Sequence, residues 1–301
     1  MSNSFSQNLW NILACPNCGL SIQKNGDQGT ICQNCYTAYE YTELGQLNLH
    51  LKEKKNYLLE FAIEAPSTED TNLEFNPLRE KANPEVDYSC VTIPRHLTKE
   101  ILSYFPKANQ KESLMLDLGC CNTIHRGVCE HAGFEYVGLD YNAHHAPILG
   151  DAHALPFQDN SFEFVLSIAV LQHIRFPSVM MREVCRVLKP NGIFIGTVSF
   201  LEPNHDQVYY NYSHLGTYNI LQYGGFTVEQ IAPSDNWTVL TALASMEFFP
   251  QMPRFLSQSL VSPLDLIHKL WWRIGAMVRR KPNESRRIRN FTGAFTYIAI
   301  K

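Results

Sequence analysis

The 301-residue sequence predicts an α/β protein, in which a doubly wound and mostly parallel sheet follows a small cysteine-rich module. Three observations lead to this prediction. Short apolar strands alternate with segments of helical periodicity over residues 91–301, which is typical of a parallel sheet covered by helices. Four cysteines form two C-x2-C pairs near the N-terminus. Hydrophobic residues make up 45% of the chain, which is enough for a full core.

The composition excludes several classes of protein. The formal charge of −4 gives no overall attraction to nucleic acid. No run reaches the ~18 apolar residues of a bilayer-spanning helix, and the opening MSNSFSQNLW lacks the pattern of a signal peptide. Nine cysteines without a secretory signal indicate a reducing compartment, so we expect a cytoplasmic protein.

The four cysteines of the N-terminal module have the spacing of a metal site; they are Cys15, Cys18, Cys32 and Cys35. Two C-x2-C pairs present four thiolates in the tetrahedral arrangement that Zn2+ prefers. We therefore predict a structural zinc ion with no open position for catalysis. Four free thiols in a reduced core, or two disulfides, are the alternatives.

The runs WNILACPNCGLSI and GTICQNCYTAYEYTELGQLNL resemble the Trm112-like zinc-ribbon family over residues 8–50. Ribbons of this family accompany methyltransferases as separate partners or fused modules, so the resemblance implies a zinc ribbon over residues 1–51. Contact with nucleic acid is the alternative function. Lys24 is the only basic residue between Cys15 and Cys35, which argues against a phosphate-binding face.

A polar stretch rich in Glu, Asn and Pro separates the ribbon from the large domain. We predict a linker over residues 52–90, with one short helix around residues 54–63. The large domain, residues 91–301, then opens with a helix that starts at Pro94 and has apolar residues at helical spacing.

Strands and helices then alternate along the large domain. The predicted strands cover residues 114–118, 136–139, 162–167, 192–198, 226–231 and 291–300, and the predicted helices cover residues 124–132, 178–188 and 213–224. Because ligands bind at the carboxyl ends of the strands in such sheets, the residues just after each strand are the candidate site.

Acidic residues occur at three successive strand ends, namely Asp117, Asp140 and Asp151. A carboxylate after the second strand can accept from ribose hydroxyls, and one after the third can accept from an exocyclic amine such as adenine N6. Together they indicate a nucleoside, although each alone is also a common turn cap. Only Gly119 remains of a dinucleotide-binding loop and no Gly-Lys-Ser/Thr occurs, so we expect a ligand without phosphates.

The runs LMLDLGCCNT, EYVGLDYN, GDAHALPFQDNSFEFVLSIAVLQHI and REVCRVLKPNGIFIGTVSF resemble the class I S-adenosylmethionine-dependent methyltransferases over residues 114–200. The resemblance implies a Rossmann-like sheet of seven strands, S-adenosylmethionine as cofactor and methyl transfer as the activity. It assigns Asp117 and Gly119 to the methionine end, Asp140 to the ribose, and Asp151 with Ala152 to the adenine. The remaining predicted cofactor residues are Cys121, Tyr141 and His153, with Ser167 and Ala169 on the floor near the sulfonium.

Two features depart from the family pattern. The second and third glycines of the first motif are Cys121 and Thr123, whose side chains narrow the crevice and raise the alternative of a protein without activity. The interval from Asp140 to Asp151 is too short for a crossover helix, so we expect the crevice to be unusually open on that side.

A catalytic base is needed only if the acceptor is a hydroxyl or a protonated amine. The candidates follow the fourth and fifth strands: His173 ends VLQH, and His205 lies in FLEPNHDQVYYNYSHLG. A lone histidine is often only a hydrogen-bonded scaffold residue, which is the competing interpretation of His173. His205, in a polar loop, is the preferred base or orienting residue.

The C-terminal part contains a helical insertion at about residues 235–290. Between Lys269 and Arg289 there are eight basic residues and one acid, Glu284, on and after a helix with apolar residues at helical spacing. Residues 263–289 therefore fit the surface of a membrane with anionic headgroups, or a polyanionic acceptor. An amphipathic cap with a solvated basic face is the simpler alternative.

We predict methyl transfer to a small-molecule, glycan or lipid-linked acceptor. Methyl transfer to ribosomal or transfer RNA is the alternative that the ribbon favours, and the missing aromatic and basic platform argues against it. The third hypothesis is a non-catalytic cofactor-binding or partner-stabilising protein. The sequence leaves the oligomeric state open.

Overall fold

The structure is a computed structural model, and it describes residues 5–26, 29–60, 75–203, 207–234, 236–279 and 284–301. Within these ranges the chain forms one large sheet of eight strands and one small sheet of three strands. The predicted alternation of strands and helices is present along the large domain.

The N-terminal module contains one helix and four short strands. They are α1 (Gln7–Ile12), β1 (Ile22–Lys24), β2 (Gly29–Cys32), β3 (Ala38–Glu40) and β4 (Leu47–Asn48). The Ser6 hydroxyl accepts a hydrogen bond from the Leu9 amide at 3.0 Å, which caps the start of α1. Strands β1, β2 and β3 pair antiparallel and bring the two cysteine pairs together.

Seven strands of the large sheet come from the large domain. They are β5 (Leu114–Leu118), β6 (Glu135–Asp140), β7 (Ile148–Leu149), β8 (Phe162–Ile168), β9 (Leu188–Ser199), β10 (Thr227–Pro233) and β11 (Ala294–Ile300). The strand order is β10-β11-β9-β8-β5-β6-β7-β4, with β11 antiparallel to both neighbours and the other pairs parallel. The predicted doubly wound sheet is confirmed. The ribbon strand β4 joins its edge as an eighth strand.

The helices of the large domain are α2 (Lys99–Leu102), α3 (Arg126–His131), α4 (Pro177–Val187), α5 (His214–Gly224), α6 (Val239–Ser245), α7 (Arg254–Arg279) and α8 (Glu284–Phe291). The helix predicted from Pro94 is shorter, because the Thr98 side chain caps α2 by accepting from the Ile101 amide at 3.3 Å. Residues 54–60 of the predicted linker helix are not helical. Its last part lies outside the described residues.

Strand β9 begins at Leu188, earlier than the predicted residue 192, because the KPNG segment lies within the strand although its residues are typical of a turn. The pairing with β8 shifts register between Phe162 and Phe164, which absorbs the extra residues. Asn191, inside this irregular stretch, has φ of 62°.

The ribbon shares the hydrophobic core of the large domain. Leu13, Tyr39, Leu47 and Leu49 are at most 1% exposed and lie in the same apolar cluster as residues from β5, β6 and β8. At about 25 cal/mol per Å² of apolar surface removed from water, this shared burial favours folding of the two parts together.

The C-terminal helices α6, α7 and α8 pack against one another over the range of the predicted insertion. Helix α7 leaves many large apolar side chains exposed: Phe255, Leu256, Leu260, Leu264, Leu266, Ile267, Leu270, Trp271, Ile274, Met277 and Val278. Of the helices in the described parts of the chain, none has both the length and the apolar character to cross a membrane.

Candidate active site

The turn after β5 lies close to the carboxyl ends of the neighbouring strands β6 and β8. Three residues of this turn, Gly119, Cys121 and Thr123, have positive φ angles of 78°, 45° and 54°. A Cβ on Gly119 would lie 2.3 Å from Val170 Cγ2, so only glycine fits both this φ and this contact. Cys121 and Thr123 adopt the left-handed conformation despite their side chains, which stores backbone strain where the family pattern has glycine.

Asp140 ends β6 and faces this turn. Its Oδ2 accepts from the Cys121 amide at 2.9 Å, and its Oδ1 accepts from the amides of Asn142 and Ala143, each at 3.2 Å. A carboxylate has about four lone-pair positions, so Oδ2 keeps room for one further donor. Tyr141, which follows, is 62% exposed.

Asp151 and His153 form a pair beside the end of β7. His153 donates to the Asp151 Oδ1 through Nδ1 at 2.5 Å and through its backbone amide at 2.9 Å. The His153 Nε2 accepts from the Phe176 amide at 3.0 Å, so the proton of the ring belongs on Nδ1. Burial favours the neutral form of Asp151, but the hydrogen bonds from His153 outweigh burial and lower the pKa of Asp151.

Asp117 differs from the other two acidic residues because its side chain points into the protein. It is 0% exposed, accepts from the Tyr136 hydroxyl at 2.6 Å and pairs with His125 Nδ1 at 3.1 Å. Burial, followed by the nearby Asp117 charge, raises the pKa of Tyr136 well above its usual range. Asp117 thus has two internal partners, and its predicted contact with the methionine end of the cofactor stays a prediction.

Ser167 and Ala169, the residues predicted to line the floor of the crevice, lie at the end of β8. Ala169 is exposed, has φ of 55°, and donates its amide to the Thr197 hydroxyl at 3.0 Å. Ser167 is 0% exposed and Ala152 is 8% exposed. Of these three residues, Ala169 presents the most surface to the crevice.

Of the two predicted base candidates, His173 lies within the described residues and His205 does not. His173 Nδ1 donates to the Gln207 carbonyl at 2.9 Å, and its Nε2 lies 3.9 Å from Glu202. These contacts tie the segment after β8 to the loop after β9, in line with the scaffold interpretation of His173. His205 lies outside the described residues, so its role stays a prediction.

The crevice is not open beside the short β6–β7 connection, contrary to the expectation from sequence. The ribbon covers this side: the Gln46 side-chain amide donates to the carbonyls of Ala143 and Ala146, each at 2.8 Å, and β4 pairs with β7. The ribbon thus occupies the edge that a crossover helix would cover.

Two residues before the large domain also lie along this side, and sequence reasoning missed both. The His50 ring contacts Tyr141 edge to face, with ring centroids 4.8 Å apart. The Tyr57 hydroxyl donates to the His153 carbonyl. The positions of both residues depend on the pairing of β4 with β7, which no local sequence motif predicts.

An open cavity of about 480 Å³ lies beyond the end of β9, on the other side of the crevice. Its lining residues are Phe75, Phe200, Ser213, His214, Val239, Arg289, Asn290, Thr292 and Phe295. His214 stacks on Phe75 with ring centroids 4.4 Å apart, and burial lowers the pKa of His214, which favours its neutral form. Sequence reasoning did not single out His214.

The four cysteines of the ribbon form one cluster. Their sulfur atoms all lie within 4.8 Å of one another, with Cys15 to Cys35 at 3.5 Å and Cys18 to Cys32 at 3.4 Å. Sulfurs about 2.3 Å from one zinc ion would lie roughly 3.8 Å apart. The donor set and its spacing therefore fit a tetrahedral zinc site.

The strand order is that of a Rossmann-like, doubly wound sheet. Residues 116–196 match the Methyltransf_11 family model, which describes a methyltransferase domain. The matched residues therefore form a methyltransferase domain, as the motifs predicted.

Curated relatives match only parts of the chain. A Mycobacterium ulcerans protein named as a phthiotriol/phenolphthiotriol dimycocerosates methyltransferase is 41% identical over 73 residues, which cover 20% of this chain and 28% of the relative. The sterol 24-C-methyltransferase erg6 of Schizosaccharomyces pombe is 28% identical over 33% of each chain. The mitochondrial arginine-hydroxylase NDUFAF5 of Mus musculus is 33% identical over 28% of each chain. The chain spans less than half the length of these relatives.

Solved structures resemble the chain at low identity. A complex of the Haloferax volcanii Trm112 methyltransferase activator with a methyltransferase matches at 19% identity and a TM-score of 0.47, over 68% of this chain and 88% of that chain. An S-adenosylmethionine-dependent methyltransferase from Mesorhizobium loti matches at 16% identity and a TM-score of 0.42, over 67% and 95% of the two chains.

Proposed function

We propose that the protein transfers a methyl group from S-adenosylmethionine to a small-molecule, glycan or lipid-linked acceptor. The main support is the arrangement of Gly119, Asp140 and Asp151 at the ends of three neighbouring strands, β5, β6 and β7, beside the point between β5 and β8 where the strand order of the sheet reverses. Ligands of doubly wound sheets bind at this place. The bound cofactor supplies an electrophilic methyl group on a sulfonium, and the chain supplies binding and orientation.

The residues fit the nucleoside part of this cofactor. The turn at Gly119 lets the backbone come close, and the remaining lone pair on Asp140 Oδ2 can accept from a ribose hydroxyl. Asp151, with its lowered pKa, is an ionised acceptor for the adenine amine. Asp117 acts as a positioning residue, because its bonds to Tyr136 and His125 fix the strand beneath the turn.

The acceptor side is formed by the cavity beyond β9. Aromatic rings and the Arg289 side chain line it, so it suits an apolar or aromatic acceptor with an anionic group. His214 is neutral near pH 7 and can take a proton from an acceptor hydroxyl or amine. We retain His205 as the second base candidate and His173 as an orienting residue for its loop.

The four ribbon cysteines are proposed to hold one structural zinc ion. All four positions of a tetrahedral site are filled by sulfur, so this metal stabilises the ribbon and takes no part in methyl transfer. Metal analysis of purified protein should give one zinc per chain, and substitution of Cys18 by Ser should remove it. Retention of full zinc by that variant would exclude this site.

Helix α7 is proposed to lie on a membrane surface that carries anionic lipids. Six exposed apolar residues three or four positions apart form a stripe along it: Leu260, Leu264, Ile267, Trp271, Ile274 and Val278. The region from Lys269 to Arg289 carries a net charge of +7, which attracts anionic headgroups and repels a second copy of the same helix. A lipid-linked acceptor would then reach the cavity from the membrane, in line with the sterol methyltransferase among the relatives.

Vesicle co-sedimentation tests this surface. We expect binding to phosphatidylcholine vesicles that contain phosphatidylglycerol, weaker binding at high salt, and at least tenfold weaker binding for Trp271→Gln with Ile274→Gln. Leu44→Gln, an exposed apolar site on the ribbon, is the matched control and should bind normally. A stable dimer that the double substitution dissociates, without vesicle binding, would instead identify a second copy as the partner.

The activity itself is tested in two stages. Calorimetric titration with S-adenosylhomocysteine should show binding that Asp140→Ala weakens at least tenfold. Transfer of labelled methyl from S-adenosylmethionine is then followed into small-molecule, lipid and RNA fractions of a cell extract. Label in the lipid or small-molecule fraction supports the proposal, and label in RNA favours the RNA methyltransferase alternative. Binding without transfer favours the non-catalytic alternative that Cys121 and Thr123 raise.

A further inference from the structure

His50, the second residue after β4, has a ring nitrogen with no partner in the described parts of the chain. The Asn48 Oδ1 accepts from His50 Nδ1 at 2.7 Å and from the His50 amide at 3.2 Å. Because an amide oxygen can only accept, the ring proton is on Nδ1 and His50 Nε2 carries a free lone pair. This Nε2 is buried without a hydrogen bond, a state that buried polar atoms rarely keep.

The position of His50 is fixed by the sheet. The Leu49 amide donates to the Leu149 carbonyl at 2.7 Å, which extends the β4–β7 pairing up to His50. The ring contacts Tyr141, and His50 is among the groups that surround the Asp151 carboxylate. His50 therefore lies between the residues that follow β6 and β7.

We propose that His50 is a cofactor-binding residue, whose Nε2 accepts a hydrogen bond from the exocyclic amine of the adenine. This inference rests on the proposed use of S-adenosylmethionine. The amine has two N–H groups, so Asp151 and His50 can each accept one. The other donors of adenosine are the ribose hydroxyls, which belong with Asp140 at the neighbouring strand end. The ribbon segment thus contributes a residue to one side of the nucleoside site.

The test compares two ligands in the full-length protein loaded with zinc. S-adenosylhomocysteine carries the amine, and S-inosylhomocysteine has a carbonyl oxygen in its place. We expect His50→Phe, which keeps a ring against Tyr141, to weaken S-adenosylhomocysteine binding about tenfold. His50→Gln, which restores an acceptor, should recover most of this affinity. His131→Phe, an exposed histidine on α3, is the control and should bind as the wild type does.

The ratio of the two affinities separates a direct contact from a general structural effect. If His50 accepts from the amine, the preference for S-adenosylhomocysteine over S-inosylhomocysteine is at least threefold smaller in His50→Phe than in wild type. An unchanged preference, or unchanged affinity in His50→Phe with normal zinc content and thermal midpoint, would overturn the inference. Wild-type protein that binds neither ligand would instead count against the proposed cofactor.

Discussion

The ribbon and the C-terminal helices are both additions to the methyltransferase sheet, but they are attached in different ways. The ribbon adds β4 to the sheet edge and buries Leu13, Leu47 and Leu49 in the common core. Helix α7 packs on α6 and α8 and leaves Leu264 and Trp271 at 51% and 74% exposure. Apolar residues in the ribbon therefore stabilise the fold, whereas those of α7 remain available for contact with another surface.

The largest expected effect tests whether the ribbon is integral to the fold. Cys32→Ser removes a wholly buried member of the proposed zinc site, and structural zinc contributes on the order of 10 kcal/mol to the folding of small modules. We expect loss of zinc, a lower thermal midpoint and exposure of the core edge at β4. Metal analysis and thermal unfolding measure these changes, with exposed Cys90→Ser as the control. An unchanged midpoint would mean that the ribbon and sheet are independent.

A matched pair of leucines gives the next largest effect. Leu49→Ala, at 0% exposure, should destabilise the protein by about 2–5 kcal/mol because it leaves a cavity in the shared core. Leu264→Ala, on the exposed face of α7, should change stability by no more than about 0.5 kcal/mol. Urea unfolding of both variants gives the comparison directly. Equal destabilisation would show that the α7 face is packed against something in solution.

The local pattern of the sequence was sufficient for the strands that face a buried interior. The bounds of β5 match the prediction, and those of β8 differ by one residue at the end, because each is a short and mostly apolar run. The KPNG segment misled the prediction for β9, since a register shift carried the strand through an apparent turn. The double C-x2-C spacing likewise predicted the cysteine cluster.

The parts that the sequence did not predict depend on contacts between distant segments. The inward orientation of Asp117 requires Tyr136 and His125, which lie on other elements. The position of His50 beside Tyr141 requires β4 to pair with β7, about a hundred residues later. Strand β4 has only two residues and therefore shows no hydrophobic periodicity, so local patterns do not predict this pairing.

The contrast between buried and exposed groups extends to the crevice, where Asp117 is buried and Asp140 is partly exposed. Tyr136→Phe removes the hydroxyl that donates to Asp117 and leaves a buried carboxylate short of one donor. We expect a loss of about 1.5–3 kcal/mol in the free energy of unfolding. Chemical denaturation measures it, and Tyr209→Phe, at an exposed site, should have little effect. A neutral result would show that Asp117 is satisfied by His125 alone.

The pH dependence of stability tests the pair of Asp151 and His153, which lies on the side of the crevice next to the ribbon. Burial opposes ionisation of Asp151, but the hydrogen bonds from His153 prevail, so the pKa of Asp151 is lower in the folded chain than its ordinary 3.8. The ionised carboxylate therefore stabilises the fold above about pH 4, and this contribution is lost as the pH falls through the lowered pKa. Denaturation of wild type and Asp151→Asn at several pH values should show a stability difference that is constant from pH 5 to 7 and shrinks below pH 4. A difference that grows below pH 4 would contradict the assignment.

The smallest expected effect concerns the strained turn at the cofactor end of β5. Cys121 has φ of 45°, a conformation that costs a residue with a side chain about 1–2 kcal/mol relative to glycine. Cys121→Gly removes this strain but makes the unfolded chain more flexible, which offsets about 0.5–1 kcal/mol. Cys121→Ala keeps the strain and loses only the thiol, so the glycine variant should be the more stable of the two by roughly 0.5 kcal/mol. If the Cys121 side chain narrows the crevice, the glycine variant should also bind S-adenosylhomocysteine more tightly than the alanine variant. Tighter binding by the alanine variant would mean that residue 121 holds the turn by a contact of its Cβ, and that the departure from the family's glycine is an adaptation of this crevice.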